Sequence, residues 1–510
     1  MEQRLTCMNV VKTAACLIFA GLATTAETAM PVIAFRGDST GNFAGACPPS
    51  TFSADSNLAW KAEVGQGCGT AIVVGDRLWV QTAPNALICL DKATGKELWR
   101  RTHHAGTLAP SIPAAVFDAA MDDVGAYHVL AQKSRRLAKE DPTRIAWEAE
   151  MKTIEAKLPK DFGNQIPGSR LDGYYNGGLY LICTTPCSDG QRVIAVFPTG
   201  VAVAYDLDGK PCWSADIRPS IAPPPGFKGR WDNGRVRDYF STPPVIAPGG
   251  VVIVLFGGHA IGLDAVTGAT RWKSLLLCRG NPAHTRAAMV LGQVGSQTYV
   301  ATGTGHILRT SDGQIVYEDS IGGSGVPAVV FAQGIFCWTS FAVRLSAGPE
   351  PKPEKIWDYA GPPPTLAKIT NFGWKEQPRL GDGDMTSPIV VDGHLLLYNQ
   401  SRMLVTLDLA TGAELGERRS TKLQKKIKAL SSGVTKNWAY GGMVRAEGTI
   451  VVAHDYGVVK MIPLDAKAGP VVENALPDDI YGQPICDGPA LYIRSLNALL
   501  KFQAKTADKP

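Results

Sequence analysis

A short phrase recurs along this chain: an apolar run, then Asp, two residues, Thr-Gly, and a few positions later Trp. It reads ALICLDKATGKELW at Ala86 to Trp99 and AIGLDAVTGATRW at Ala260 to Trp272, with a shortened AVAYDLDGKPCW at Ala202 to Trp213. Weaker echoes are LVTLDLATGAELG at Leu404 to Gly416 and HILRTSDGQIVY at His306 to Tyr317. Repetition of this kind marks one supersecondary unit per copy, which buries its apolar faces only against its neighbours.

Each copy reads as a β-hairpin, because the runs on both sides are rich in β-formers and Gly tolerates the positive φ of a tight reversal. Ahead of each hairpin stand two further strands, as in GTAIVVGDRLWVQT from Gly69, STPPVIAPGGVVIVLF from Ser241 and TSPIVVDGHLLLYN from Thr386. One repeat is therefore four antiparallel strands, and eight repeats begin near Thr70, Cys183, Ser241, Ala287, Gly325, Thr386, Gly442 and Gly482. Sheets repeated radially cover each other's faces and leave only short edges. The expected fold is all-β, an eight-bladed β-propeller of four-stranded antiparallel blades. The last repeat, GQPICDGPALYIRSLNALLKFQ, stops after three strands, so Leu58 to Val64 is expected to supply its outer strand and close the ring.

The Asp-x-x-Thr-Gly-x-x-x-Trp phrase resembles the tryptophan-docking repeat of the pyrroloquinoline-quinone-like (PQQ-like) β-propellers, over most of Phe35 to Phe502. That family includes quinoprotein dehydrogenases and a non-catalytic periplasmic scaffold of outer-membrane barrel assembly. The resemblance implies that Trp99, Trp213 and Trp272 pack between adjacent blades, with Tyr317 or Trp357 in that place in later blades and Gly416 unable to fill it. It speaks to fold; function has to be argued from sites.

A chain of 510 residues suggests more than one domain. A closed propeller, however, makes residues 30–510 a single unit. The formal net charge of +5 implies no nucleic-acid partner, and KLQKKIK at Lys422 to Lys428 reads as a solvated loop. Residues 1–29 have the layout of a secretory signal peptide: Arg4 and Lys12, an apolar stretch from Ala14 to Ala23, then small residues. The apolar run is shorter than the roughly 20 residues that span a bilayer. Cleavage after Ala26 or Ala29, a periplasmic or secreted location, a mature chain without a transmembrane segment and a monomeric state are expected.

Nine cysteines follow that leader. Cys89, Cys212 and Cys337 lie inside strand phrases and read as small core residues. Cys183 and Cys187 are spaced for a bridge or a metal pair, but no second Cys or His pair stands nearby at zinc spacing. No Cys-x-x-Cys-His haem motif is present.

Residues His104 to Gly178 break the repeat. Trp147, Met151, Ile154 and Leu158 recur at helical spacing, and Val129 to Lys139 is a second helix-like run ending before Pro142. An α-helical hairpin between blades 1 and 2 is expected, acting as a cap, a docking arm or a lid.

In a propeller the loops between strands 2 and 3 of every blade, and those between blades, emerge on one face. The first set places His259, His306, Arg402, His454, Asp455, Tyr456 and Arg494 there; the second adds Asp238 and Asp384. Such groups around a funnel would suit an anionic or sugar-like ligand, or a metal if His259, His306 and His454 face inward. The plain alternative is that funnel loops are polar whatever the function.

Quinoprotein dehydrogenases of the resemblance use an adjacent cysteine pair beneath the quinone and a calcium held by Glu, Asn and Asp. This chain has no Cys-Cys pair. No cofactor is expected, with PQQ and calcium as the alternative. Gly37-Asp38-Ser39-Thr40-Gly41 matches a nucleophile-elbow formula without its strand-to-helix frame, Phe35 to Gly37 resembles a phrase preceding the first blade in exported relatives, and His103-His104 reads as a solvated turn. Two functional readings stand: a non-catalytic cell-envelope scaffold that binds a protein or envelope ligand, or an enzyme, either a divergent quinoprotein oxidoreductase or a hydrolase with a funnel site around His454 and Asp455.

Overall fold

The recurring phrase folds as its chemistry dictates. The Asp91 carboxylate accepts the backbone N–H of Thr94 at 2.7 Å and its hydroxyl at 2.6 Å, and Asp408 binds Thr411 in the same way. Asp264 binds Thr267 likewise and is joined by Arg271. These donors, the Thr hydroxyl foremost for Asp91 and Asp408 and the Arg271 guanidinium foremost for Asp264, hold the three carboxyls below the usual range. The glycine that follows takes a positive φ, +72° at Gly95, and donates back to Asp91 O at 2.8 Å.

The computed structural model describes residues 33–67, 69–82, 86–103, 113–134, 137–159, 184–197, 200–217, 242–278, 281–282, 287–319, 328–358, 386–398, 403–416, 419–420, 442–454, 457–480 and 482–504. Eight antiparallel sheets form the blades. Their innermost strands are Ile72–Val74, Cys187–Ser188, Val245–Ala247, Val290–Val294, Val330–Ala332, Ile389–Val391, Met443–Ala446 and Ile485–Asp487. Inner strands of successive blades touch from blade 1 to blade 7, and Asn42–Phe43 lies between blades 7 and 8. Burial falls outward along a blade: all six residues of Val251–Phe256 are buried, whereas Glu97–Thr102 alternates. Strands sandwiched on both faces carry continuous apolar runs, and outer ones need only one apolar face.

The ring closes as expected. Leu58–Glu63 pairs antiparallel with Ala498–Gln503 in the register Trp60↔Lys501 to Glu63↔Ala498 and becomes the outer strand of blade 8.

Indoles pin the blades, each lying over the turn glycine of the next one. A Cβ added at Gly209 would stand 2.8 Å from the Trp99 ring, at Gly268 2.6 Å from Trp213, and at Gly412 2.6 Å from Trp357. Gly313 is covered by Trp272 in the same way, and Gly95 by Trp60, the indole of the closing strand. Four of these Nε1–H groups donate to the neighbouring blade: Trp60 to Lys92 O, Trp213 to Ala265 O, Trp272 to Thr310 O and Trp357 to Leu409 O, at 2.8–3.2 Å. Tyr317 packs at the blade 4–5 interface and donates to Asp319 at 3.0 Å, with no described glycine beneath it.

The channel holds a feature the repeats do not announce. Ile33 O accepts the N–H of Ser188 on the inner strand of blade 2 at 2.7 Å, and Ala34 joins the core shared by blades 2 and 3. On the opposite side, Arg36 Nη2 donates to Pro388 O at 2.7 Å and Met443 O at 3.0 Å, and Asn42–Phe43 pairs parallel with Met443–Ala446. Residues 33–43 thus form a strap across the axis from blade 2 to blades 6 and 7. The chain then leaves between blades 7 and 8, where Phe52 lies 4.5 Å from Phe502. Arg36 is fully buried, which lowers its guanidinium from 12.5 to about 9, against the opposing effect of Asp38. Gly41 closes over that group, since a Cβ there would stand 2.7 Å from Arg36 Cζ. The elbow-like Gly37 to Gly41 is a turn of this strap, with Asp38 accepting from Thr40 at 3.0 and 2.5 Å.

The expected insertion consists of two packed helices, α1 (Ala114–Ser134) and α2 (Pro142–Lys157), between blades 1 and 2. α1 ends before the charged run reaches Lys139. Asp141, with φ −65° and ψ 125°, caps α2 by accepting from Thr143 at 2.8 Å, and Pro142 occupies the first helical turn, so the residues ahead must leave the helix. Gln66 Nε2 donates to Gly125 O and ties this arm to the ring. No described helix is long and apolar enough to cross a membrane.

Among the cysteines, Cys89, Cys187, Cys337 and Cys486 are buried and free, and burial pushes the Cys89 thiol up to about 12. Cys212 departs from expectation. It is exposed, because it lies on a fourth strand, where only one face is covered. Cys183 and residues 1–32 lie outside the described residues, as does the basic run at 422–428.

Candidate functional site

The face onto which the loops between strands 2 and 3 open carries four of the expected site residues. His259 opens the strand His259–Asp264, His306 opens His306–Arg309, His454 follows Thr449–Ala453, and Arg494 ends Ala490–Arg494. Asp238, Asp384, Arg402, Asp455 and Tyr456 lie outside the described residues.

The ring brings the four to equivalent heights in blades 3, 4, 7 and 8, and each is engaged locally. His259 Nδ1 donates to Gly257 O at 3.0 Å. His306 Nδ1 shares a 3.0 Å hydrogen bond with Thr304 Oγ1, which in turn meets Thr302 Oγ1 at 2.8 Å, while its Nε2 stands 3.9 Å from Glu318 Oε1. Hydroxyl, imidazole and carboxylate in series have the form of a nucleophilic triad. Thr304 is only 2% exposed and His306 0%, so both are covered, and the two threonines satisfy the Nδ1 side of the ring. His454 Nε2 meets Tyr398 OH at 3.4 Å and links blade 7 to blade 6. Arg494 Nη2 donates to Gly65 O at 2.6 Å and links blade 8 to the chain entering blade 1. Among the described residues no group of three or more His, Cys, Asp or Glu could hold a metal.

His103 also departs from the solvated turn expected of it. Its Nε2 meets Tyr205 OH at 3.0 Å, and its ring lies 5.3 Å from that of Phe197.

Burial lowers the pKa of both His259 and His306, with the Gly257 bond and Glu318 opposing it. A histidine kept neutral in the fold but free to protonate at about 6.5 when unfolded makes unfolding take up protons. Stability is therefore full above about pH 6.5 and declines as pH falls toward the lower folded values. Urea midpoints measured from pH 7.5 to 5 should show this decline, with a shallower slope in His259→Gln/His306→Gln; an unchanged slope would contradict it. The turn carboxylates lose their contribution only at pH values below about 4.

A cavity of about 200 Å³ opens where the arm meets the same face. Its walls are Val129 and Lys133 of α1, Leu137, Trp147 of α2, and two loops of the ring, Pro477 to Asp479 and Leu496 with Asn497. No sequence pattern marks this site, because its halves lie more than 300 residues apart.

Comparison with known proteins bears on the family. Curated protein sequences include no match to the chain. The family model described as outer membrane protein assembly factor BamB matches residues 50–219 and 133–329. Among solved structures, the quinohemoprotein alcohol dehydrogenase ADHIIG of Pseudomonas putida HK5 is similar at 11% identity and a TM-score of 0.52, over 94% of this chain and 82% of that one. That of Comamonas testosteroni is similar at 10% identity and a TM-score of 0.50, with the same coverage. BamB of Moraxella catarrhalis shares 17% identity over 64% of this chain and 95% of its own, with a TM-score of 0.38. At such identities the structural likeness speaks to the fold alone. The two overlapping segments of the family match span more than half of the chain, which belongs to the BamB-type family of PQQ-like β-propellers.

Proposed function

We propose that this chain is a non-catalytic binding propeller of the cell envelope, exported to a periplasm or beyond, which engages a protein or envelope ligand through its loop face and arm. One observation carries the reading. Each described site residue on that face, His259, His306, His454 and Arg494, is buried and engaged within or between blades, whereas the arm beside it exposes Val116 at 47% and Ile145 at 54%. Exposed apolar side chains on a projecting element suit a partner better than a substrate. The family description, assembly of outer membrane proteins, accords with such a role. Export rests on the leader-like layout of residues 1–29. A quinone fits the described residues poorly: the strap crosses the channel, and the chain lacks adjacent cysteines.

The test compares the tagged full chain with a version whose residues 113–159 are replaced by a short flexible linker. Defined partners recovered from envelope extracts by the first and lost by the second are expected, with no rise in melting temperature on adding PQQ and calcium. A ligand that binds only the folded state must raise that temperature. A large rise, with alcohol-dependent dye reduction, would overturn the proposal.

A further inference from the structure

At the rim between blades 6 and 7 the ring lacks the seal it carries elsewhere. Indoles cover the turn of the following blade at five junctions, Trp60, Trp99, Trp213, Trp272 and Trp357 each lying against a turn glycine. In blade 6 the matching position is Gly416, as far past Asp408 as Trp99 is past Asp91. No atom comes within 4 Å of a Cβ placed there, nor of one at Gly469 in the turn of blade 7. A φ of +65° at Gly416 also turns the chain out of the extended course that carries the indoles of the other blades.

The rest of an indole site remains at this junction. Leu464 occupies the place of Ala265 and Leu409, since its N–H bonds back to Gly448 O at 2.8 Å as theirs do to Gly250 O and Gly393 O. The carbonyls of Ala265 and Leu409 accept the Nε1–H groups of Trp213 and Trp357. Under those indoles Ala265 and Leu409 are 3% and 1% exposed, whereas Leu464 and Val471 are only half-buried and Leu415 is 38% exposed. Arg419 completes the set. It pairs with Leu404 as Arg101 pairs with Leu87, and its Nη1 donates to Pro463 O of blade 7 at 2.5 Å. Arg101 holds its guanidinium 5.4 Å from the Trp99 ring centre, where a cation is attracted by the aromatic face.

We propose that this junction is a docking socket for a tryptophan side chain of a partner protein, its Nε1–H bonded to Leu464 O, its face against Arg419 and its edge on Leu415 and Val471. The occupant follows from the molecule's own usage, because five junctions of the same build take an indole. Tryptophan is also among the side chains most enriched where one protein anchors on another. The turns between strands 3 and 4 lie on the side of the ring away from the loop face, so the socket is independent of the scaffold reading and is tested without it.

The experiment titrates the full chain with N-acetyl-5-fluorotryptophanamide, followed by broadening of its fluorine resonance, beside the 1-methylindole analogue, which lacks the N–H. The parent probe is expected to bind at millimolar concentration, and the methylated one about fivefold more weakly, the usual scale for losing a neutral hydrogen bond. N-acetyl-leucinamide should not displace either. Arg419→Met should weaken the parent about threefold, as expected for an exposed cation over a ring. Hydrogen exchange across residues 463–471 should slow when the parent probe is added. No broadening, equal binding of the methylated analogue, displacement by the leucine compound, unchanged exchange at 463–471 or unaltered affinity in Arg419→Met would overturn the proposal. The comparison of probes on the unaltered chain decides the matter even where the variant fails to fold.

Discussion

Removing residues 33–63 is expected to leave a chain that no longer folds cooperatively. The deletion strips the outer strand from blade 8 and uncovers Ala498–Gln503, where Leu499, Leu500 and Phe502 are now at most 5% exposed. It also removes Trp60 from Gly95, Phe52 from Phe502, and the strap that joins blade 2 to blades 6 and 7. Truncating a buried Trp alone costs about 3–5 kcal/mol. Whole domains are stable by only about 5–15 kcal/mol. The truncated chain should elute as aggregate and show no sharp melting transition, and Trp60→Ala in the full chain gives the graded case by urea unfolding. A truncated chain that melts sharply at the wild-type temperature would remove closure by this segment from the account.

The second large effect concerns one hydrogen atom. Gly249 and Gly268 both adopt positive φ, +82° and +73°, in the turns ahead of the second and the outer strand of blade 3, yet nothing lies within 4 Å of a Cβ placed at Gly249 while Trp213 lies 2.6 Å from one at Gly268. Gly249→Ala should therefore cost only the left-handed penalty of about 1–2 kcal/mol. Gly268→Ala should cost that and about 1–3 kcal/mol more, because the methyl group drives the indole out of the interface. In the double variant with Trp213→Ala the two losses should sum to less than their separate values, since the clash disappears with the indole. Denaturant midpoints measure all four chains, and equal losses at Gly249 and Gly268 would refute the docking contact.

The architecture was legible because each repeat states its own turn. Asp91, Thr94 and Gly95 make one hairpin with groups four residues apart, and Trp99 lies over the next blade's copy of the same turn. Local chemistry repeated at intervals is what a reader of sequence detects. The missing strand at Leu58–Glu63 was recoverable by counting, but the docking role of Trp60 was not, since the phrase that labels it stands in blade 1, beside Gly95. The placement of four site residues was legible; the burial of their side chains was not. His259, His306 and His454 do occupy equivalent ends, yet all three are buried, the first two bonded within their own blades and His454 to Tyr398 of blade 6, and a position in a loop reveals nothing about that cover. The strap and the arm cavity were out of reach because they join residues such as Arg36 and Met443, or Trp147 and Asn497, which share no period.

The strap also dictates an order of events during biogenesis. Arg36 bonds to Met443 across 407 positions, and Arg494 to Gly65 across 429. Ribosomes make Arg36 and Gly65 first, yet their partners exist only once blades 6 to 8 have been synthesised. Long-range pairing slows folding, and unpaired strand edges invite aggregation meanwhile. Nascent copies are thus most vulnerable just before completion, and holdase chaperones that shield the waiting segment should raise the yield of active refolding more than those acting on finished blades.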